Sequence, residues 1–258
     1  NMDYYVVDAF TDKLFSGNPA CICVSEKTLS NEIMQNIAFE NNLSETAFIY
    51  KNGKNYILRW FTPSFEIDLC GHATLAAAFI VFTHLDCNKD KVNFETVSGV
   101  LSVIRKGDLY EMTFPKRIAQ NIMKKPDIIE SLSFEPLELY SERDLYVIMN
   151  NEEEVKNYIP DYTKLKKLDS WLGIVITAKG NNADFVSRYF CPELMFEDPV
   201  TGSAHSTLVP IWSNKLGKNK LLAKQLSKRG GTLYCECFNN NIKISGNAVI
   251  YSKGSILL

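Results

Sequence analysis

Short apolar segments with period-two alternation recur along this chain: YVVDAF, ACICV, TAFIY, YILRWF, LSVIR and LYEMTF in the first half, then LYVIM, LGIVITA, DFVSRYF, TLYCECF and IKIS in the second. Side chains of a strand alternate between its two faces, so these segments predict half-buried β-strands, and the Gly and Asn residues between them predict tight turns. Two segments break the pattern. From Gly71 to about His84 the chain is apolar on nearly every side of a helix, which predicts a helix buried all round. A second central helix is predicted from Gly202 to about Leu216, where Pro210 is expected to kink it or to move its start. An amphipathic helix is predicted over Asn31–Asn41, with Ser30 as its N-cap and Ile33, Ile37 and Ala38 as its apolar stripe.

The pattern also repeats in order. Arg59-Trp60-Phe61-Thr62-Pro63 returns 129 residues later as Arg188-Tyr189-Phe190-Cys191-Pro192. Gly71-His72-Ala73-Thr74-Leu75 returns more loosely, 131 residues later, as Gly202-Ser203-Ala204-His205-Ser206, and residues 98–114 overlie 230–246. Offsets close to half of 258 residues imply an internal duplication. The predicted fold class is α+β. Two pseudo-symmetric lobes, residues 1–116 and 117–258, each wrap a curved, mostly antiparallel sheet around a central buried helix, and the last strand is free to cross back to the first lobe.

Composition narrows the function classes. A chain with 46% hydrophobic and 22% charged residues and a net charge of −2 is ordinary globular material, with nothing in its balance that points to nucleic acid or an anionic membrane. One stretch departs from this: residues 214–229 carry Lys215, Lys218, Lys220, Lys224, Lys228 and Arg229 with no acid among them. It reads as a solvated helical face or as a contact surface for something anionic. The longest apolar run, Leu75 to Phe82, is too short to span a bilayer, and no basic-then-apolar leader opens the chain, so a cytoplasmic location is expected. Seven cysteines without a Cys-x-x-Cys pair fit a reducing compartment, and Cys21/Cys23 and Cys235/Cys237 are spaced to face one side of a strand in the core. There is no P-loop or dinucleotide fingerprint, and His72, His84 and His205 show no metal spacing, so neither cofactor nor metal is expected.

What remains is proton chemistry. A helix N-terminus offers unpaired N–H groups and about half a positive charge to an anion, and glycine lets that anion approach the backbone. Gly71-His72 and Gly202-Ser203 therefore read as two cradles facing one small carboxylate; the plainer reading makes the glycines turn residues and His72 a core histidine. Glu45, just ahead of the apolar TAFIY, and Asp198, four residues before Gly202, are either structural caps or groups able to move a proton in a closed cleft.

VDAFTDKLFSGNPACICV (7–24), NLSETAFI (42–49), RWFTPSFEIDLCGHATLAAA (59–78), EDPVTGSAHSTLVPIW (197–212) and QLSKRGG (225–231) resemble the signature blocks of the phenazine-biosynthesis PhzF-like family. The resemblance implies the diaminopimelate epimerase fold, with an active site between two lobes, in a homodimer. It implies Glu45 as general acid/base, His72 and Asp198 as helpers, and Gly71, Gly202 and Ser203 as the groups that bind a small carboxylate substrate, with Asn18 as a neighbour. The family's characterised chemistry is isomerisation of a dihydro-hydroxyanthranilic acid, and the fold does not reveal the substrate of other members. Related amino-acid epimerases use two opposed cysteines. Cys70 holds the first such place, but the second half reads Pro199-Val200-Thr201, so Cys70 is expected to be a small buried residue. The expected function is a cofactor-independent isomerase that moves a proton within a small carboxylate. The alternatives are an amino-acid racemase of the same fold and a non-catalytic binder of small anions.

Overall fold

One strand-pairing plan occurs twice in the computed structural model, which describes residues Asn1–Leu258. In the first set, Met2–Ala9 is antiparallel to Asn18–Val24, which is parallel to Thr46–Asn52; Asn55–Phe61 is antiparallel to Thr46–Asn52 and parallel to Lys91–Thr96, which is antiparallel to Gly99–Lys106. In the second set Glu138–Ser141, Leu145–Ile148, Ile174–Lys179, Phe185–Cys191, Lys220–Gln225 and Gly231–Cys237 take the same six places with the same sense of every pairing. An additional antiparallel strand covers the first strand of each set: Gln120–Ile122 beside Glu138–Ser141, and the C-terminal Ala248–Ile256 beside Met2–Ala9. An uncovered edge would leave a row of unpaired N–H and C=O groups. The two compact units are therefore Asn1–Thr113 with Ser245–Leu258, and Phe114–Ile244, where the repeat spacing had placed the division at 116/117.

The Arg-x-Phe repeat has a structural counterpart inside each unit. Arg59 grips Glu66 with two bonds of 2.7 Å and lies over the Phe61 ring at 5.4 Å. Arg188 grips Glu197 at 3.0 and 2.8 Å and lies over Phe190 at 5.0 Å. In both cases the acid comes from the short strand that pairs back onto the one carrying the arginine.

Parallel neighbours need a crossover, and each unit uses its central helix for the second of its two parallel pairs. Gly71–Ile80 is α-helical and continues as a π-helical turn over Val81–Leu85; the counterpart is a 3-10 turn, Gly202–Ala204, followed by the α-helix His205–Leu216. Ala73, Leu75, Ala76, Ala77, Ala78 and Ile80 are fully buried, as a helix apolar all round requires, and the alanines let Met2–Ala9, Asn18–Val24 and Thr46–Asn52 pack close to it. Pro210 lacks the N–H that would bond to Ser206, and the backbone N–H of Arg117 bonds to the Ser206 carbonyl at 3.0 Å instead, so the proline orphans no acceptor.

Two expectations need correcting. Asn31–Asn41 is helical with the Ser30 hydroxyl accepting from the Ile33 N–H, but its buried face is Met34, Ile37 and Ala38, while Ile33 is 39% exposed on the rim of that face. The basic stretch is not one helical face: the helix ends at Leu216, Gly217 turns with φ 65°, and Lys220–Gln225 is a strand. Lys215 is paired with Glu138 and Lys218 with Asp184, each at 2.6 Å. No helix is long and apolar enough to cross a membrane.

Candidate active-site groups

In the first unit the parallel pair Asn18–Val24 and Thr46–Asn52 brings Asn18 and Glu45 to the N-terminal ends of neighbouring strands, with the Glu45 carbonyl accepting from the Cys21 N–H. Asn18 is fully buried there. The first turn of the central helix then carries His72 against Glu45, with Nε2 to Oε2 at 2.9 Å and side chains only 7% and 16% exposed. Both atoms are out of contact with solvent, and neither has a hydrogen-bond partner other than the one it faces. Burial disfavours charge on His72, while the Glu45 carboxyl beside it works the other way and raises its pKa. The Glu45 carboxyl thus favours the protonated form of the His72 ring.

The structure assigns Cys70 more than packing. It is buried as expected, yet its Sγ lies 3.4 Å from His72 Nδ1. Burial, reinforced by the charge of Glu45, raises its pKa, so it stays a thiol. Glu45, Cys70 and His72 form a cluster of metal-ligand type, but the sulfur faces one ring nitrogen and the carboxylate the other. The set is a thiol–imidazole–carboxylate row.

In the second unit Asp198 ends the strand Phe196–Asp198, and its Oδ2 accepts from the Thr201 hydroxyl at 2.6 Å. Gln225 locks this turn: its Oε1 accepts from the Thr201 N–H at 2.8 Å and its Nε2 donates to the Asp198 carbonyl at 2.9 Å. Beyond the turn, Gly202 is buried and Ser203 half-buried. Neither Gly71 nor Gly202 is among the left-handed glycines, so the missing Cβ and not the backbone angle is what glycine contributes at these helix starts. Ser203 Oγ accepts from Arg143 at 3.1 Å, and its carbonyl accepts from Arg117. Arg143 also binds Asp144 at 2.8 Å, and the fully buried Asp144 accepts from the Tyr189 hydroxyl at 2.8 Å.

His205 is a core histidine bonded through one ring nitrogen, its buried Nε2 having no hydrogen-bond partner. Its Nδ1–H donates to the Thr201 carbonyl at 2.8 Å, and burial, only partly offset by that bond, pulls its pKa down to about 4, so it is neutral. Thr74 makes the same contact one repeat earlier, its hydroxyl donating to the Cys70 carbonyl at 2.6 Å. Both side chains bond four residues back and pin their helix starts. Within the first unit, then, the structure brings Glu45 and His72 together at the start of the helix that opens with Gly71; within the second it places Asp198, Gly202 and Ser203 on one turn. The contact of Cys70 with His72, and the parts played by Gln225, Arg117, Arg143 and Asp144, were not anticipated. The Arg143-Asp144 pair stands directly before the apolar LYVI just as Glu45 stands before TAFIY, and that shared signal could have found it.

Two copies of one pairing plan, each with a buried helix whose first turn carries polar groups, define a duplicated α+β fold of the epimerase class. The structure of a predicted epimerase from Pseudomonas aeruginosa shares it, with a TM-score of 0.74 over 100% of both chains at 17% identity. The family model described as "Phenazine biosynthesis-like protein" matches residues 7–254, and the chain belongs to that family. It is 54% identical to a Clostridium difficile protein whose crystal structure is described as a putative phenazine biosynthesis PhzC/PhzF protein, with a TM-score of 0.97 and full coverage of both chains. Among curated proteins, an uncharacterized isomerase of Pseudomonas aeruginosa is 41% identical over 259 residues, covering 100% of this chain and 99% of that one. The enzyme class is isomerase.

Proposed function

We propose that this isomerase moves a proton within a small carboxylate-bearing substrate, with Glu45 as the acid/base and no cofactor in the step. The observation that carries the reading is the buried Glu45–His72 pair, with Nε2 2.9 Å from Oε2 and no other partner on either of those atoms. A buried acid can receive a proton, and a protonated imidazole beside it stabilises the charge that develops on the substrate. Glu45 takes a proton from carbon; the C–H electron pair moves into the conjugated carboxylate or carbonyl; the proton returns to a different carbon. Nothing is oxidised or reduced. The N–H groups at Gly71 would hold the anionic oxygen as charge accumulates there. The duplication extends the reading to Gly202 and Ser203, which would engage an anionic group at the equivalent helix start, and to Asp198 as a helper.

The test is incubation with candidate small carboxylates in D2O. An isomerase incorporates deuterium at carbon in at least one of them without loss of optical activity from chiral amino acids. Racemisation of an amino acid would favour the epimerase, and a ligand that binds without label would make the protein a binder. Gly202→Val is expected to weaken binding of the labelled carboxylate at least tenfold by calorimetry, because a branched side chain fills the place where an anion must approach the backbone. Undiminished affinity in a folded variant removes Gly202 from the site.

A further inference from the structure

We propose that Cys70 is a positioning residue, its thiol holding the His72 imidazole by Nδ1 so that Nε2 faces Glu45. The proposal rests on the reading of Glu45 and His72 as the proton-handling pair. Cys70 occupies the N-cap of the central helix with extended backbone, φ −148° and ψ 112°, where Ser, Thr, Asp or Asn would ordinarily bond the first turn. Its side chain makes no capping bond, and the sulfur is turned to the ring at 3.4 Å. The residue that carries the thiol is itself clamped, since its carbonyl accepts from both the Thr74 N–H at 3.1 Å and the Thr74 hydroxyl at 2.6 Å. The second unit keeps this scaffold without the thiol. There Thr201 stands at the equivalent position, its hydroxyl is committed to Asp198, and no imidazole follows two residues later.

A neutral thiol suits this place because it both donates and accepts. It accepts from Nδ1–H while His72 is an imidazolium, and it goes on accepting once Nε2 has given up its proton. It can instead donate to a bare Nδ1 when the ring is neutral with its proton on Nε2. The ring therefore need not turn during a cycle. Serine has the same capacity and alanine has neither half of it.

The test follows the His72 ring by NMR in the full-length protein labelled with 15N-histidine, assigned by comparison with His72→Asn, across pH in wild type, Cys70→Ala and Cys70→Ser. In Cys70→Ala the His72 midpoint should fall by roughly one pH unit, the worth of one hydrogen bond to a charged group, because a buried imidazolium loses an acceptor. Cys70→Ser should titrate as wild type. If Cys70→Ala does not fold by near-UV circular dichroism, Cys70→Val fills the volume without a donor or acceptor and takes its place. A wild-type titration in the apolar variant, or an equal shift in Cys70→Ser, overturns the proposal. The measurement needs no substrate, so it can fail while Glu45→Gln still abolishes exchange, and absence of exchange in the wild type would overturn the function without moving this result.

Discussion

Glu45→Gln is expected to slow solvent deuterium exchange into the labelled carboxylate by ~10²–10⁴-fold, equivalent to ~3–5 kcal/mol of barrier. Glutamine keeps the shape and hydrogen-bonding capacity of the side chain but cannot exchange a proton near neutral pH. A second loss accompanies the first. The Glu45 charge is among the influences that keep His72 protonated against burial, so the amide leaves His72 with a lower pKa and a weaker hold on the developing anion. Binding of the ground-state carboxylate should change much less than the rate. Glu45→Asp should recover little, because withdrawing the carboxylate by one methylene moves it ~1 Å out of reach of the carbon and away from Nε2. Exchange at the wild-type rate in Glu45→Gln, together with a dead Asp198→Asn, would assign the proton shuttle to the second unit.

The architecture was legible in the sequence because it rests on two local signals, alternation and repetition. The buried helix from Gly71 announced itself by lacking a polar face, and the offset between Arg59 and Arg188 marked places where each strand pairs with the next in the same sense. The ownership of the last strand was less legible. Ala248–Ile256 belongs with Met2–Ala9, and no local pattern states which of two similar sets of strands it will cover. Met34 displaced Ile33 from the buried face of Asn31–Asn41 for a related reason: the apolar spacing admits either as a member, and packing against the sheet decides.

The candidate groups followed the same divide. Glu45 and His72 were visible because charge and glycine interrupt apolar segments, and an interruption is a local event. The roles of Cys70 and Gln225 depend on what folding brings beside them. A cysteine two residues before a histidine says nothing of sulfur facing Nδ1 until the helix begins between them. Gln225 reaches Thr201 across 24 residues, a contact made by the parallel strand that follows the second central helix.

Asp144→Ala is expected to destabilise the protein by ~3–5 kcal/mol in urea unfolding, the scale for removing one partner of a buried ion pair. Asp144 is fully buried, and its two oxygens are engaged by the Tyr189 hydroxyl at 2.8 Å and by Arg143 at 2.8 Å. Arg143 sits 32% exposed with its Nε already lacking a hydrogen-bond partner, so loss of Asp144 leaves the Tyr189 phenol without its acceptor and the guanidinium with Ser203 Oγ alone. Asp144→Asn should cost less, since it still offers an oxygen to Tyr189 while removing the charge that Arg143 answers. Replacing both charges, as in Arg143→Met with Asp144→Leu, should regain a large part of the loss, because two desolvated charges are exchanged for apolar contact. A cost under ~1 kcal/mol for Asp144→Ala would mean that water enters and solvates the pair. The consequence for chemistry follows from the second bond of Arg143, which donates to Ser203 Oγ at 3.1 Å. Without Asp144 the guanidinium is free to swing, and Ser203 loses the donor that fixes its hydroxyl. Asp144→Asn assayed well below its unfolding midpoint should therefore raise KM for the labelled carboxylate more than it lowers kcat, whereas a purely structural Asp144 would leave both unchanged in the folded fraction.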